Sequence, residues 1–247
     1  MALSWSGRRK ALYTSVVGVI SFMLVIFVYQ ALFTAAPVCT DGKQNGLEHG
    51  VDCGGSCALL CAAETRAPVV SWARAFEAAP QTYTAAAYIQ NNNPGAGARQ
   101  VRYTFQLFDS DNKLVVDRQG VADLPPVPTI PIIETGINAG FRAPARALFA
   151  FSSEPVWVRA EVLPALSASK QSLSADGSRL SATIRNDSLT EASAVVAAVL
   201  FDQEGVARAA SKSTITVPAR GETPVIFTWG QPAQQPIVRA EITILPQ

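Results

Sequence analysis

Histidine is almost missing from this chain: His49 is the only one among 247 residues. The side chain that most often serves as a general base is therefore nearly absent. No G-x-S-x-G or H-E-x-x-H pattern stands in for it, and His49 sits beside Glu48 in a polar loop with no serine or cysteine placed to use it as a base. An independent enzyme is not expected. Charge is scarce too: 16% of residues are charged and the formal net charge is +1. That leaves no broad electrostatic footprint for nucleic acid or an acidic polymer, and nucleic-acid binding is not expected.

Between residues 11 and 36 charge is missing altogether. At about 1.5 Å per residue, 12–33 spans about 33 Å as a helix, enough for a hydrocarbon core of about 30 Å. Residues 11–36 are read as a transmembrane helix. Arg8, Arg9 and Lys10 crowd its start, whereas the next charge after it is Asp41. The positive-inside rule then puts residues 1–10 in the cytoplasm, too short to fold, and the rest outside the cell membrane. A cleaved signal peptide is the alternative. Its apolar core normally runs about 7–15 residues, and the best cleavage site, Thr34-Ala35-Ala36, is followed by Pro37, so length favours an uncleaved signal anchor.

All four cysteines fall between Cys39 and Cys61. In an extracytoplasmic segment too short to bury a core, Cys39, Cys53, Cys57 and Cys61 are expected to form two disulfides, with three connectivities open. The stretch resembles a short cysteine module of secreted and surface proteins, C-x-DG-x-QN-x-x-E-x-GVDCGG-x-C-x-x-C. It departs from that pattern only at the end, where Ala58, Leu59 and Leu60 separate Cys57 from Cys61. Zinc is disfavoured by the absence of C-x2-C knuckles and by an oxidising compartment. Calcium has a better motive, because Asp41, Asn45, Glu48 and Asp52 offer hard oxygen ligands among glycines. Their spacing is not that of an EF-hand, and Asp-Gly and Asn-Gly are ordinary turn formers, so residues 37–67 read first as a stapled stem with a short linker from 62 to 67.

Beyond it, glycines and prolines scattered among short apolar runs point to β structure. Val101, Tyr103, Phe105 and Leu107 alternate with polar residues, as do Leu180, Ala182 and Ile184, and Val225 and Phe227. Residues 68–164 and 165–247 look like copies. Tyr88-Ile89-Gln90-Asn91 parallels Thr183-Ile184-Arg185-Asn186, and Phe105 to Asp109 parallels Ala198 to Asp202. Phe149 and Phe151 echo Phe227 and Trp229, and Val158 to Glu161 echoes Val238 to Glu241. Aligning on Asp109 and Asp202 sets Asn112 opposite Gly205, the residue types most tolerant of a left-handed backbone, so a tight hairpin turn is expected after each Asp.

Phe105-Gln106-Leu107-Phe108-Asp109 resembles the signature of FxLYD-type domains, small immunoglobulin-like or fibronectin-like sandwiches of bacterial surface proteins, with Phe in place of Tyr. In the second copy Ala198 replaces the first Phe. The resemblance implies two tandem β-sandwiches; it implies no activity, and fold does not give function. The expected fold class is thus an all-β ectodomain of two immunoglobulin-like or fibronectin-like sandwiches behind one transmembrane helix.

The first copy carries extra sequence between Gly120 and Arg146, with Pro125, Pro126, Pro128 and Pro131. Proline cannot donate to a ladder, so an edge strand or extended loop is expected there. Pro128, Ile130, Ile132 and Phe141 are candidates for docking a partner. The same residues would equally cap the domain's own sheet edge. Asn186-Asp187-Ser188 is formally a glycosylation sequon and also an ordinary turn. The chain is read as a membrane-anchored structural or interaction protein, its sandwiches projecting as a rod toward another envelope or surface protein. The alternative is a metal- or ligand-binding sensor or accessory subunit that uses the acidic cysteine module or the proline-rich loop.

Overall fold

The computed structural model describes residues 5–33, 38–160, 163–229 and 236–246. Thr34 to Pro37, the alternative cleavage site, and Glu161 of the terminal echo lie outside the described residues. Two compact units divide the chain, Met1–Ser56 and Cys57–Gln247.

In the first unit, α1 (Trp5–Phe33) is a single helix. Its stretch Gly7–Gln30 is long and apolar enough to cross a membrane and none of it is buried. Apolar side chains project on every side of the helix, as expected where the surroundings are lipid rather than one protein core. The Thr14 hydroxyl donates to the Lys10 carbonyl at 2.9 Å and that of Ser15 to Ala11 at 2.8 Å, so both polar groups are satisfied within the helix. This helix fits a membrane-anchored protein.

The second unit is built from four sheets. After a 3-10 turn at Ala62–Glu64 come β1 (Val69–Ala79), β2 (Thr82–Gln90), β3 (Ala96–Phe108), β4 (Leu114–Leu124), β5 (Thr129–Asn138), β6 (Arg146–Phe151) and β7 (Val158–Arg159). Strands β1-β2-β5 form one sheet, and β4-β3-β6 form the other, with β7 pairing the start of β3. Their facing sides enclose Ile89, Phe105, Leu107, Ile130 and Trp157. The predicted alternation in β3 holds: Val101, Tyr103, Phe105 and Leu107 are all buried.

The second sandwich comprises β8 (Leu166–Leu173), β9 (Arg179–Asn186), β10 (Ala192–Phe201), β11 (Ala207–Val217), β12 (Glu222–Thr228) and β13 (Arg239–Pro246). Sheets β12-β9-β8 and β11-β10-β13 close over Leu180, Ile184, Val196, Leu200 and Phe227. Topology supports most of the sequence echoes. Asn91 directly follows β2 and Asn186 ends the equivalent β9, and the Asp109 and Asp202 corners lead into turns at Asn112 (φ +60°) and Gly205 (φ +72°). One echo fails: β6, with Phe149 and Phe151, pairs β3, whereas β12, with Phe227, pairs β9 in the opposite sheet. Alternating aromatics look alike in any half-buried strand, which is why the sequence equated two strands of different sheets.

The sandwiches stack face to face, not end to end as a rod. Ala86 and Ile133 on one side and Ala197, Val199, Phe201, Ala207 and Ala210 on the other form a third apolar cluster, with Trp72, Phe76 and Tyr88 packed against it. Strands β2 and β10 are therefore covered on both faces, and Tyr83 to Ala87 and Ala197 to Phe201 are buried without interruption. Trp72 stacks on Tyr88 at 4.9 Å, and Phe201 meets both rings edge-on at 6.4 and 6.2 Å.

The 62–67 linker is likewise tied down. Asn93 receives the Arg66 amide at 2.7 Å and donates its own amide to the Arg66 carbonyl at 2.7 Å, and Asn92 donates to Ala67. Upstream, Leu60 N–H donates to Trp157 and Arg159 N–H donates to Ala58, so the end of the cysteine module runs alongside β7 as part of the first sandwich.

Candidate functional site

The acidic oxygens of the cysteine module face backbone donors. Asp52 accepts the amides of Asp41 (2.9 Å) and Gly42 (2.9 and 3.1 Å), and Glu48 accepts those of Asn45 (3.2 Å) and Asp52 (3.4 Å). Asp41 takes the Lys43 amide and the Asn45 side-chain amide at 2.7 Å. These carboxylates fold the loop by replacing the sheet partners its backbone lacks. Gly55 completes it, since at φ +55° a Cβ would lie 1.5 Å from the Leu47 carbonyl oxygen. Asn45 Oδ1 is left buried with no donor among the described residues. Cys39, Cys53, Cys57 and Cys61 are all disulfide-bonded, so none is a thiolate free to bind metal.

The proline-rich stretch separates into two kinds of residue. Ile130 and Ile132 lie in the core, 1% and 4% exposed, so neither can reach a partner. They belong to β5, which pairs β2 through Gln90↔Thr129 and Ile89↔Ile130 and forms the sheet's edge, with Pro131 tolerated there. Pro128 is exposed, and Phe141, in the turn before β6, is 97% exposed.

Other candidates resolve into structure. Asn186 is fully buried: its amide donates to Thr190 (2.8 Å) and Val217 (3.1 Å) while its oxygen accepts Ser188 N–H at 2.9 Å. Asn91 repeats the arrangement, donating to Ala96 and Pro125 and accepting from Asn93. The sequon asparagine is a loop pin, inaccessible to a glycosyl carrier. Asp109 binds the amides of Asp111 and Lys113. Asp202 binds the Val206 amide at 2.8 Å and Arg208 Nε at 2.5 Å. Burial alone would raise the Asp202 carboxyl, but the Val206 amide and the Arg208 guanidinium outweigh it and hold it below the ordinary carboxylate value.

A cavity of about 640 Å³ opens where the two sandwiches meet. Consecutive residues 72–78 of β1 line it, flanked by 145–147 at the start of β6 and 207–210 at the start of β11. Among the described residues β1 pairs β2 alone, so its outer main-chain edge borders this cleft unpaired. Register irregularities at Val70/Trp72 and Glu77/Ala79 bracket a regular stretch between them. Arg74, Arg146, Arg208 and Glu77 contribute the charge. Arg208 is held by Asp202, whereas among the described residues Arg74 and Arg146 have no carboxylate partner; Arg146 instead lies over the Phe108 ring at 5.1 Å. Trp229 also lines the cleft, and its Nε1 is buried without an acceptor. Sequence reading missed this cleft because its residues come from several distant segments. The one available signal was the small residues Ala73, Ala75 and Ala78 interleaved with Arg74 and Glu77.

Compared with protein-family profiles and with curated proteins, the chain matches none.

Proposed function

We propose that this chain is a membrane-anchored interaction protein: α1 holds it in the bilayer with the N-terminus cytoplasmic, and the paired sandwiches, outside, present a pre-formed surface to another envelope or surface protein. The observation that carries this reading is the apolar cluster centred on Trp72, Tyr88 and Phe201, which joins two sandwiches into one body. A surface already fixed before contact avoids the cost of ordering it on binding. Four cysteines, all oxidised, support the extracytoplasmic placement. The resemblance of Phe105 to Asp109 to FxLYD-type surface domains agrees with it. The reading is non-catalytic and treats the carboxylates of Asp41, Glu48 and Asp52 as loop supports.

In-cell chemical crosslinking of the whole chain, followed by mass spectrometry, tests it against a control lacking 62–247. A reproducible polypeptide partner that disappears from the control is expected. Recovery of only the chain itself and lipid from both samples would overturn the reading.

A further inference from the structure

We propose that the cleft along the outer edge of β1 takes an extended acidic segment of a partner polypeptide as an added β-strand; this rests on the interaction reading above and names the class of partner.

Three observations converge on it. The first is main chain. Along 72–77 the backbone is regular between its two bulges, and among the described residues no strand pairs with its donors and acceptors on the cleft side. An edge of that kind binds extended peptide by completing the ladder, with alternate side chains directed to either wall. The second is space. The cleft holds about 640 Å³, and the β1 residues along it, 72–78, are consecutive, so the strand's edge borders open space. The third is charge. Arg74 and Arg146 line the same opening with no carboxylate partner among the described residues, against the single Glu77, while Arg208 is neutralised by Asp202. Charges that merely guard an edge need no cavity beside them; here two guanidinium groups without a carboxylate partner among the described residues line a cavity of about 640 Å³. Paired carboxylates on an incoming strand would satisfy them with charge-assisted, bidentate hydrogen bonds. A basic or neutral strand would leave them uncompensated.

The probe is an array of random ten-residue peptides, overlaid with the whole chain in lipid nanodiscs. Bound peptides should be enriched in Asp and Glu at alternate positions. Replacing alternate backbone amides of a bound peptide by N-methyl groups should abolish binding, because the ladder needs those donors. The double variant Arg74→Glu, Arg146→Glu changes only exposed side chains and should weaken the selected acidic peptides by about tenfold or more. Amide hydrogen exchange should slow within 72–78 when peptide is added. No bound peptides, a bound set without acidic enrichment, or binding indifferent to N-methylation or to the charge reversal each overturns the proposal. A partner still crosslinked in cells through 62–247 while the array fails would leave the broader reading standing and remove only this one.

Discussion

The Tyr88 hydroxyl donates to Glu241 Oε2 across 2.6 Å, tying β2 of the first sandwich to β13 of the second. Glu241 also pairs with Arg239, whose guanidinium lies 4.1 Å over the Phe201 ring. Burial, its first cause, raises the Tyr88 phenol above its ordinary value, which keeps it a donor through the neutral range. Glu241 is partly solvated, so Tyr88→Phe should cost about 1 kcal/mol. A double-mutant cycle with Glu241→Gln should show coupling of the same size, and additive effects would contradict a direct bond.

Phe201 sits where the three rings meet, 3% exposed. Its truncation to Ala removes the partner of both Trp72 and Tyr88 and should cost about 3–5 kcal/mol. Calorimetry of the native chain should give one transition for 57–247; the variant should separate it into two, because each sandwich retains its own core.

Ile130 and Phe141 lie in one stretch of sequence and have opposite roles. Ile130→Ala empties core volume and should cost about 2–5 kcal/mol, whereas Phe141→Ala should change stability by less than about 0.5 kcal/mol. Denaturant titration of both variants separates them.

How much of this was legible beforehand follows from what each strand touches. Strands β3 and β9 have one covered face, so Val101 to Leu107 and Leu180 to Ile184 alternate visibly and were read correctly. Strands β2 and β10 have two covered faces, and Ala194 to Phe201 reads as an unbroken apolar run that period-two reasoning does not interpret. The stacking of the sandwiches was therefore hidden, and with it the cleft, whose walls are brought together only by that stacking. Ile130 and Ile132 stood both as partner contacts and as caps of the domain's own edge, because proline signals an edge strand without saying which way its neighbours point. The hairpin corners at Asp109 and Asp202 were readable because their chemistry is local.

Asp176 offers a pH test. The Ser174 hydroxyl, first, then the Ser178 amide and hydroxyl hold its carboxyl down at about 2. A carboxyl lowered in the folded state contributes stability that is complete above its unfolded pKa and lost as pH falls through the folded one. Asp176→Asn should therefore be less stable than the parent at neutral pH, and the difference should shrink below the ordinary carboxylate range until it vanishes near pH 2. A difference independent of pH would contradict the assignment.

The most direct measurement is site-specific photo-crosslinking in living cells, with the photoreactive residue at position 74 in one variant and at position 226, on the exposed face of β12, in another. The account predicts a discrete polypeptide adduct from position 74 and none from position 226. Adducts from 226 alone, or none from either, would contradict a membrane-anchored platform that engages its partner through the cleft between the sandwiches.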